Sequence, residues 1–187
     1  MVRMKSLRRQ AGAAILLALL IMTLVATLAT LLGAMRSAMA AATSVVNDKG
    51  VEIKAPTNGG ITIGSAYRSP EHDRDLWDGY FQAYFIESMA AREKIPEGPL
   101  SKQAAEWLVM NIIGWRKAAP GGSNHSNGNA VDLVRTVNGN RQSNDYDNQK
   151  DWRSSWEYFW LKANAGTYGF TNYKKEAWHW EWWASAK

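Results

Sequence analysis

Hydrophobic and polar residues follow three different periods along this chain, and each predicts a different element. From Ala11 to Met35 no residue is charged, directly after a cluster of Arg3, Lys5, Arg8 and Arg9. A run of that length is long enough to cross a hydrocarbon core of about 30 Å as a helix. Ile61, Ile63, Ser65 and Tyr67 alternate with Thr62, Gly64, Ala66 and Arg68, which predicts a strand ending at Arg68. Ser69 and Pro70 then supply an N-cap and a first-turn proline. Trp77, Phe81, Tyr84, Phe85 and Met89 recur at helical spacing, so that helix is expected to turn them into the core.

A second helix is expected from about Ser101 to Lys117, with Ala104, Leu108, Ile112 and Trp115 inward and Pro120-Gly121-Gly122 as its stop. Short strands are expected near Val51 to Lys54 and at Ala130 to Val134. Residues 135 to 151 lack apolar periodicity and predict a long loop of the kind that forms functional rims. Asp151 is the expected N-cap of a third helix presenting Trp152, Trp156, Phe159, Trp160 and Ala163, which ends at Asn164-Ala165-Gly166. Two closing strands fit Tyr168 to Tyr173 and Ala177 to Trp183. The predicted class is α+β, a small antiparallel sheet with helices packed on one side, preceded by an N-terminal hydrophobic helix.

Composition narrows the chemistry. The 187 residues include no cysteine, which excludes disulfide scaffolds, Cys-ligated zinc and thiol catalysis. Arg3, Lys5, Arg8, Arg9 and Arg36 account for the whole formal charge of +5. The remainder is neutral and lacks the basic footprint that phosphate binding requires, so no nucleic-acid partner is expected. The basic residues before the apolar run predict a cytoplasmic N-terminus and export of everything beyond about residue 40. Residues 1–43 are therefore expected to be a signal anchor or signal peptide, and 44–187 the exported domain. Ala38-Met39-Ala40 offers an A-x-A cleavage site, but the length of the run favours an uncleaved membrane anchor. Gly12 before an apolar helix also resembles a prepilin-type signal, and departs from it at Leu17, where most pilins carry a glutamate.

Two of the three histidines lie in unusual stretches that each pair an imidazole with a carboxylate, Ser123-Asn124-His125-Ser126-Asn127-Gly128-Asn129-Ala130-Val131-Asp132 and Glu176-Ala177-Trp178-His179-Trp180-Glu181. Imidazole nitrogen and carboxylate oxygen suit zinc, whose catalytic sites take three protein ligands and keep a fourth position open. His125, Asp132 and His179 would supply three. Asp132 lies in an otherwise apolar stretch, where an unpaired carboxylate would be costly to bury. His72 lies outside every motif and reads as a surface residue. Asp145, Asp147 and Asp151 lack the spacing of a calcium loop.

The pattern S-x-H-x-x-G-x-A-x-D, the later E-x-W-H and the upstream Tyr67-Arg68-Ser69 resemble the D-alanyl-D-alanine carboxypeptidase and dipeptidase group of LAS zinc metallopeptidases. The resemblance covers roughly residues 51 to 183. It implies zinc on His125, Asp132 and His179, Glu176 as general base, and Arg68 as the stabiliser of the polarised peptide oxygen. Ser123 and Tyr67 are expected to touch substrate. On a regular strand Glu181 rather than Glu176 would share a face with His179, so the resemblance requires a bend before Ala177, and Glu181 stays the alternative base. The implied activity is removal of terminal D-Ala from peptidoglycan stem peptides by an anchored enzyme facing the periplasm, or a secreted one if the leader is cleaved. The alternatives are an L-Ala-D-Glu endopeptidase of the same fold, as in phage lysins, a catalytically silent cell-wall binding module, and a pseudopilin-like secretion component.

Overall fold

The computed structural model describes residues 2–183, with side chains from Ala13 onward. The leader's basic cluster, Arg3 to Arg9, and the side-chain setting of Gly12 lie outside the described side chains. The chain forms two compact units, one of Met1–Tyr67 with Gly128–Lys187 and the other of Arg68–Asn127.

In the first unit, helix α1 (Val2–Ala41) precedes a hairpin of β1 (Ser44–Val46) and β2 (Glu52–Lys54). The strand expected near Val51 to Lys54 is thus present as β2, and β1, for which no strand was expected, pairs with it. The central sheet is antiparallel, in the order β3 (Gly60–Ser65), β4 (Ala130–Val137), β7 (His179–Trp182), β6 (Phe170–Asn172), with β5 (Asn140–Arg141) pairing the far end of β4. The expected long loop 135–151 is thereby shortened, because β4 runs to Val137 and turns tightly through Asn138-Gly139 into β5. The predicted strand to Arg68 stops at Ser65, where a register shift between Ile63 and Ser65 breaks the alternation. Ile61 is buried while Ile63 is exposed. Gly64 belongs to that irregularity: a Cβ there would lie 2.6 Å from Val134 Cγ2 and 3.3 Å from the Asp132 carbonyl. Only a residue without a side chain allows this approach.

The third predicted helix is two helices, α6 (Gln149–Ser154) and α7 (Trp156–Asn164). The break is at Ser155, whose hydroxyl accepts from the Tyr158 N–H and caps α7. Asp151 lies in the first turn of α6 rather than at its cap. Trp152, Trp156, Trp160 and Leu161 are buried against Val131, Leu133, Trp178 and Trp180 of the sheet region, and Leu28, Leu32, Met35 and Met39 of α1 belong to the same core. Ala163, expected inward, is exposed. Beneath α7, Glu157 is buried 3.8 Å from Arg135. Desolvation raises its carboxyl above the ordinary value, and its own backbone and Arg135 offset only part of that.

The second unit opens with α2 (Pro70–Glu87), capped by Ser69 through the His72 N–H. His72 is exposed, and the apolar face at Trp77, Phe81, Tyr84 and Phe85 is only half-buried, with Met89 beyond it exposed. That face was expected to be core. A short turn, α3 (Met89–Arg92), leads to α4 (Lys102–Leu108), followed by a π-helical stretch Val109–Ile113 and α5 (Gly114–Arg116). The extra residue of the π turn rotates the register. Ile113 is buried instead of the expected Ile112, and Trp115 is exposed instead of inward.

Candidate active site

Asp132 and His179 are brought face to face by strand pairing. β4 and β7 are antiparallel in a register that places Asp132 opposite His179, Val131 opposite Trp180 and Ala130 opposite Glu181. Alternation then sends Val131 and Trp180 into the core and Asp132, His179 and Glu181 to the other face. His179 Nδ1 lies 2.9 Å from Asp132 Oδ1, and the imidazole is buried. Glu176 Oε2 is 3.8 Å from the same Nδ1, and Glu181 Oε1 is 3.5 Å from Nε2 on the far side of the ring.

The bend required before Ala177 is present. Glu176 donates its N–H to the Tyr173 carbonyl at 3.0 Å, and the His179 N–H reaches back to the Glu176 carbonyl at 3.3 Å. Asn172 Nδ2 holds this turn from within, meeting the carbonyls of Glu176 at 3.0 Å and His179 at 2.9 Å. Gln149 accepts from the Ala177 N–H at 2.7 Å. The Glu176 side chain accepts from the Tyr146 hydroxyl at 3.1 Å, and the Tyr146 ring meets Trp178 edge-on.

Three carboxylates around one buried imidazole concentrate negative charge. Burial alone would lower the His179 pKa, but Asp132 first, then Glu176 and Glu181, outweigh it and hold the ring above its ordinary value. The same surroundings attract a cation, and one imidazole nitrogen beside carboxylate oxygens is a donor set that suits zinc. Asp132 and His179 therefore fit the metal implied by the sequence pattern.

The second unit carries Arg68, Ser123 and His125. Arg68 donates its backbone N–H to the His125 carbonyl at 3.3 Å, tying the start of the unit to the histidine loop. His125 and Ser123 are both buried, and the Ser123 carbonyl accepts from Ser126 in a turn. Arg68 Nη1 lies 3.9 Å from Asp73 Oδ1, a fully buried carboxylate that also binds the ammonium of Lys117. Tyr67 belongs to the first unit, half in solvent beside Gly128, whose φ of +76° suits glycine.

Sequence reasoning passed over Tyr146, Asn172, Gln149, Asp73 and Lys117. Tyr146 lies in the stretch read as a functional rim, and nothing in its spacing marks it. Asp73, in the first turn after Ser69-Pro70, reads as an ordinary helix-start acid, and its burial has no sequence signal.

A β-sheet pair of aspartate and histidine, flanked by a glutamate on a braced turn, is an arrangement that can hold a divalent metal beside a carboxylate base. A family profile described as D-alanyl-D-alanine carboxypeptidase, VanY, matches residues 52–185, and the chain belongs to that family. Among solved structures, a vancomycin-resistance D,D-pentapeptidase VanY variant from a VanB-type cassette, in complex with Zn(II), is 19% identical with a TM-score of 0.42 over 74% of this chain and 77% of that one. A second, VanYB in complex with D-alanine-D-alanine, is 19% identical with a TM-score of 0.40 over 74% and 76% of the two chains. No curated protein matches significantly.

Proposed function

We propose that the chain is a zinc-dependent D-alanyl-D-alanine carboxypeptidase acting on peptidoglycan stem peptides, with His125, Asp132 and His179 as metal ligands. The observation that carries the reading is the register pairing of Asp132 with His179, 2.9 Å apart, beside the turn that carries Glu176. The family supports the reaction and the substrate end. Zinc bound there supplies Lewis-acid polarisation of the scissile carbonyl and acidifies a water.

The chain's own residues do the rest. Glu176 takes the water's proton and hands it to the leaving amine, a role open to a carboxylate held by the Tyr146 phenol 3.8 Å from His179 Nδ1. Arg68 offers its planar fork of donors to the developing oxyanion or to the terminal carboxylate. Ser123 and Tyr67 line the substrate's path. The apolar helix Ala13–Ala41 has the length to cross a membrane, and as an anchor it would place the domain outside the cytoplasm, where this substrate lies.

Mass spectrometry of purified muropeptides after incubation with the full chain tests the reading. Loss of a single terminal alanine from pentapeptides is expected, with near-unit zinc in the wild type and little in His125→Ala and His179→Ala. Scission between L-Ala and D-Glu would reassign the enzyme as an endopeptidase, and intact peptides with full zinc would make it a binding module.

A further inference from the structure

We infer that residues 21–30 of α1 have two mutually exclusive partners, a lipid bilayer and the flank of the first unit. This goes beyond the catalytic reading and rests on the anchor reading only for the lipid partner. A membrane span needs about 20 apolar residues, and counted from Ala11, the first residue of the uncharged run, they end near Thr30. In the folded chain one narrow stripe within residues 21–30 is already covered. Ile21 and Leu24 are half-buried, Leu28 is 4% exposed, and the stripe continues through Leu32, Met35 and Met39.

The opposite face of the same helix has no cover. Leu16 is 69% exposed, Leu20 66% and Met22 68%, an apolar surface that water does not favour and lipid does. The three threonines raise no obstacle in either medium, since Thr23, Thr27 and Thr30 each donate their hydroxyl to the carbonyl four residues back at 2.9 to 3.0 Å. The two placements cannot coexist. Leu24 and Tyr67 converge on Gly128, with Leu24 Cδ2 3.4 Å and Tyr67 Cδ2 3.9 Å from where a Cβ would stand. Hydrocarbon does not admit that irregular backbone. Insertion therefore withdraws Leu24 and Leu28 from the first unit and leaves Leu32, Met35 and Met39 in place.

The exchange reaches the active site through one short path. Gly128 leads into Asn129, whose carbonyl accepts the Trp182 N–H at 2.7 Å and so closes the β4–β7 pair that carries Asp132 and His179. The docked helix braces that junction. The docked form is the more active one, and the bilayer competes for its brace.

The chain has no cysteine, so single cysteines introduced in the full-length protein report the exchange. Ala26 and Ala29 face outward in the docked helix and Leu28 inward. In phosphatidylethanolamine/phosphatidylglycerol vesicles, none of Ala26→Cys, Leu28→Cys and Ala29→Cys should react with a maleimide. Adding Leu17→Arg and Leu20→Arg, at two exposed positions, keeps the helix out of hydrocarbon. Ala26→Cys and Ala29→Cys should then react at least tenfold faster than Leu28→Cys, and turnover should exceed the vesicle form several-fold. Equal labelling of positions 26 and 29 in both settings overturns the exchange, and fast labelling of position 28 in the arginine form overturns docking. Failure of the unsubstituted chain to bind vesicles removes the lipid partner and the proposal with it. A chain inactive in every form, yet showing the expected labelling, would sink the peptidase reading and leave the exchange standing.

Discussion

Which carboxylate is the base turns on a few ångströms around His179. Glu181 shares the strand face with His179, as parity requires, and lies 3.5 Å from Nε2. Glu176 reaches the opposite nitrogen, the one that also faces Asp132, because the chain turns between Tyr173 and His179. The parity was readable in the sequence. The turn was called for by the family resemblance alone, since Lys174-Lys175 carries no glycine or proline to announce it. Glu176→Gln should keep zinc and fold while losing about 10² to 10⁴-fold in turnover, with Glu181→Gln much milder. Steady-state kinetics beside metal analysis checks both, and the reverse ranking would hand the role to Glu181. Tyr146→Phe deletes one hydrogen bond to a charged acceptor, an interaction worth about 1.5–3 kcal/mol. At the lower end, about 1.4 kcal/mol per factor of ten, kcat should fall about tenfold with KM little changed. An unchanged kcat would show that the phenol does not position the base.

At the level of elements, the sequence carried the type of each segment better than its phase. The strand at Ile61, the capped helix at Ser69-Pro70 and the tryptophan-rich helices all formed because period and capping residues agreed. Phase failed wherever one residue was inserted into or dropped from a repeat. The π turn at Val109–Ile113 moved burial from Ile112 to Ile113, the irregularity at Gly64 ended β3 early, and Ser155 divided one predicted helix into two. Such steps come from tertiary fit and leave the hydrophobic period almost unchanged. Asn172 shows how much one side chain can hold together. Its amide meets backbone carbonyls of Glu176 and His179, the two ends of the turn that carries the proposed base and a proposed ligand. Asn172→Ala removes one of the two hydrogen bonds at each of those carbonyls, which keep the backbone N–H of His179 and of Tyr173, a loss of about 0.5–1.5 kcal/mol per bond. Thermal melting should drop accordingly, and zinc should be retained less tightly against a chelator. A variant with unchanged melting and unchanged zinc retention would show that the turn holds its own shape.

For the whole molecule, the boundary between leader and domain is where sequence and packing part company. Charge and apolarity mark residues 1–43 as one segment, because the period of a membrane-crossing run says nothing about which of its sides a protein covers. The core takes Leu28, Leu32, Met35 and Met39 from that segment and sets them with Ile61, Trp156 and Phe170. Burying a leucine or methionine side chain stabilises by about 1.5–3 kcal/mol. Four of them make a term on the order of 6–12 kcal/mol, comparable with the roughly 5–15 kcal/mol that holds a typical domain folded. A chain beginning at residue 44 should therefore melt far below one beginning at residue 28, or not fold cooperatively, although both contain every proposed catalytic residue. The chain from residue 28 should in turn match the full-length protein in zinc content. Calorimetry and metal analysis of the three lengths side by side would decide it. Equal melting of the 44–187 and 28–187 chains would mean that the helix merely rests on the domain and that cleavage after Ala40 would cost the enzyme nothing.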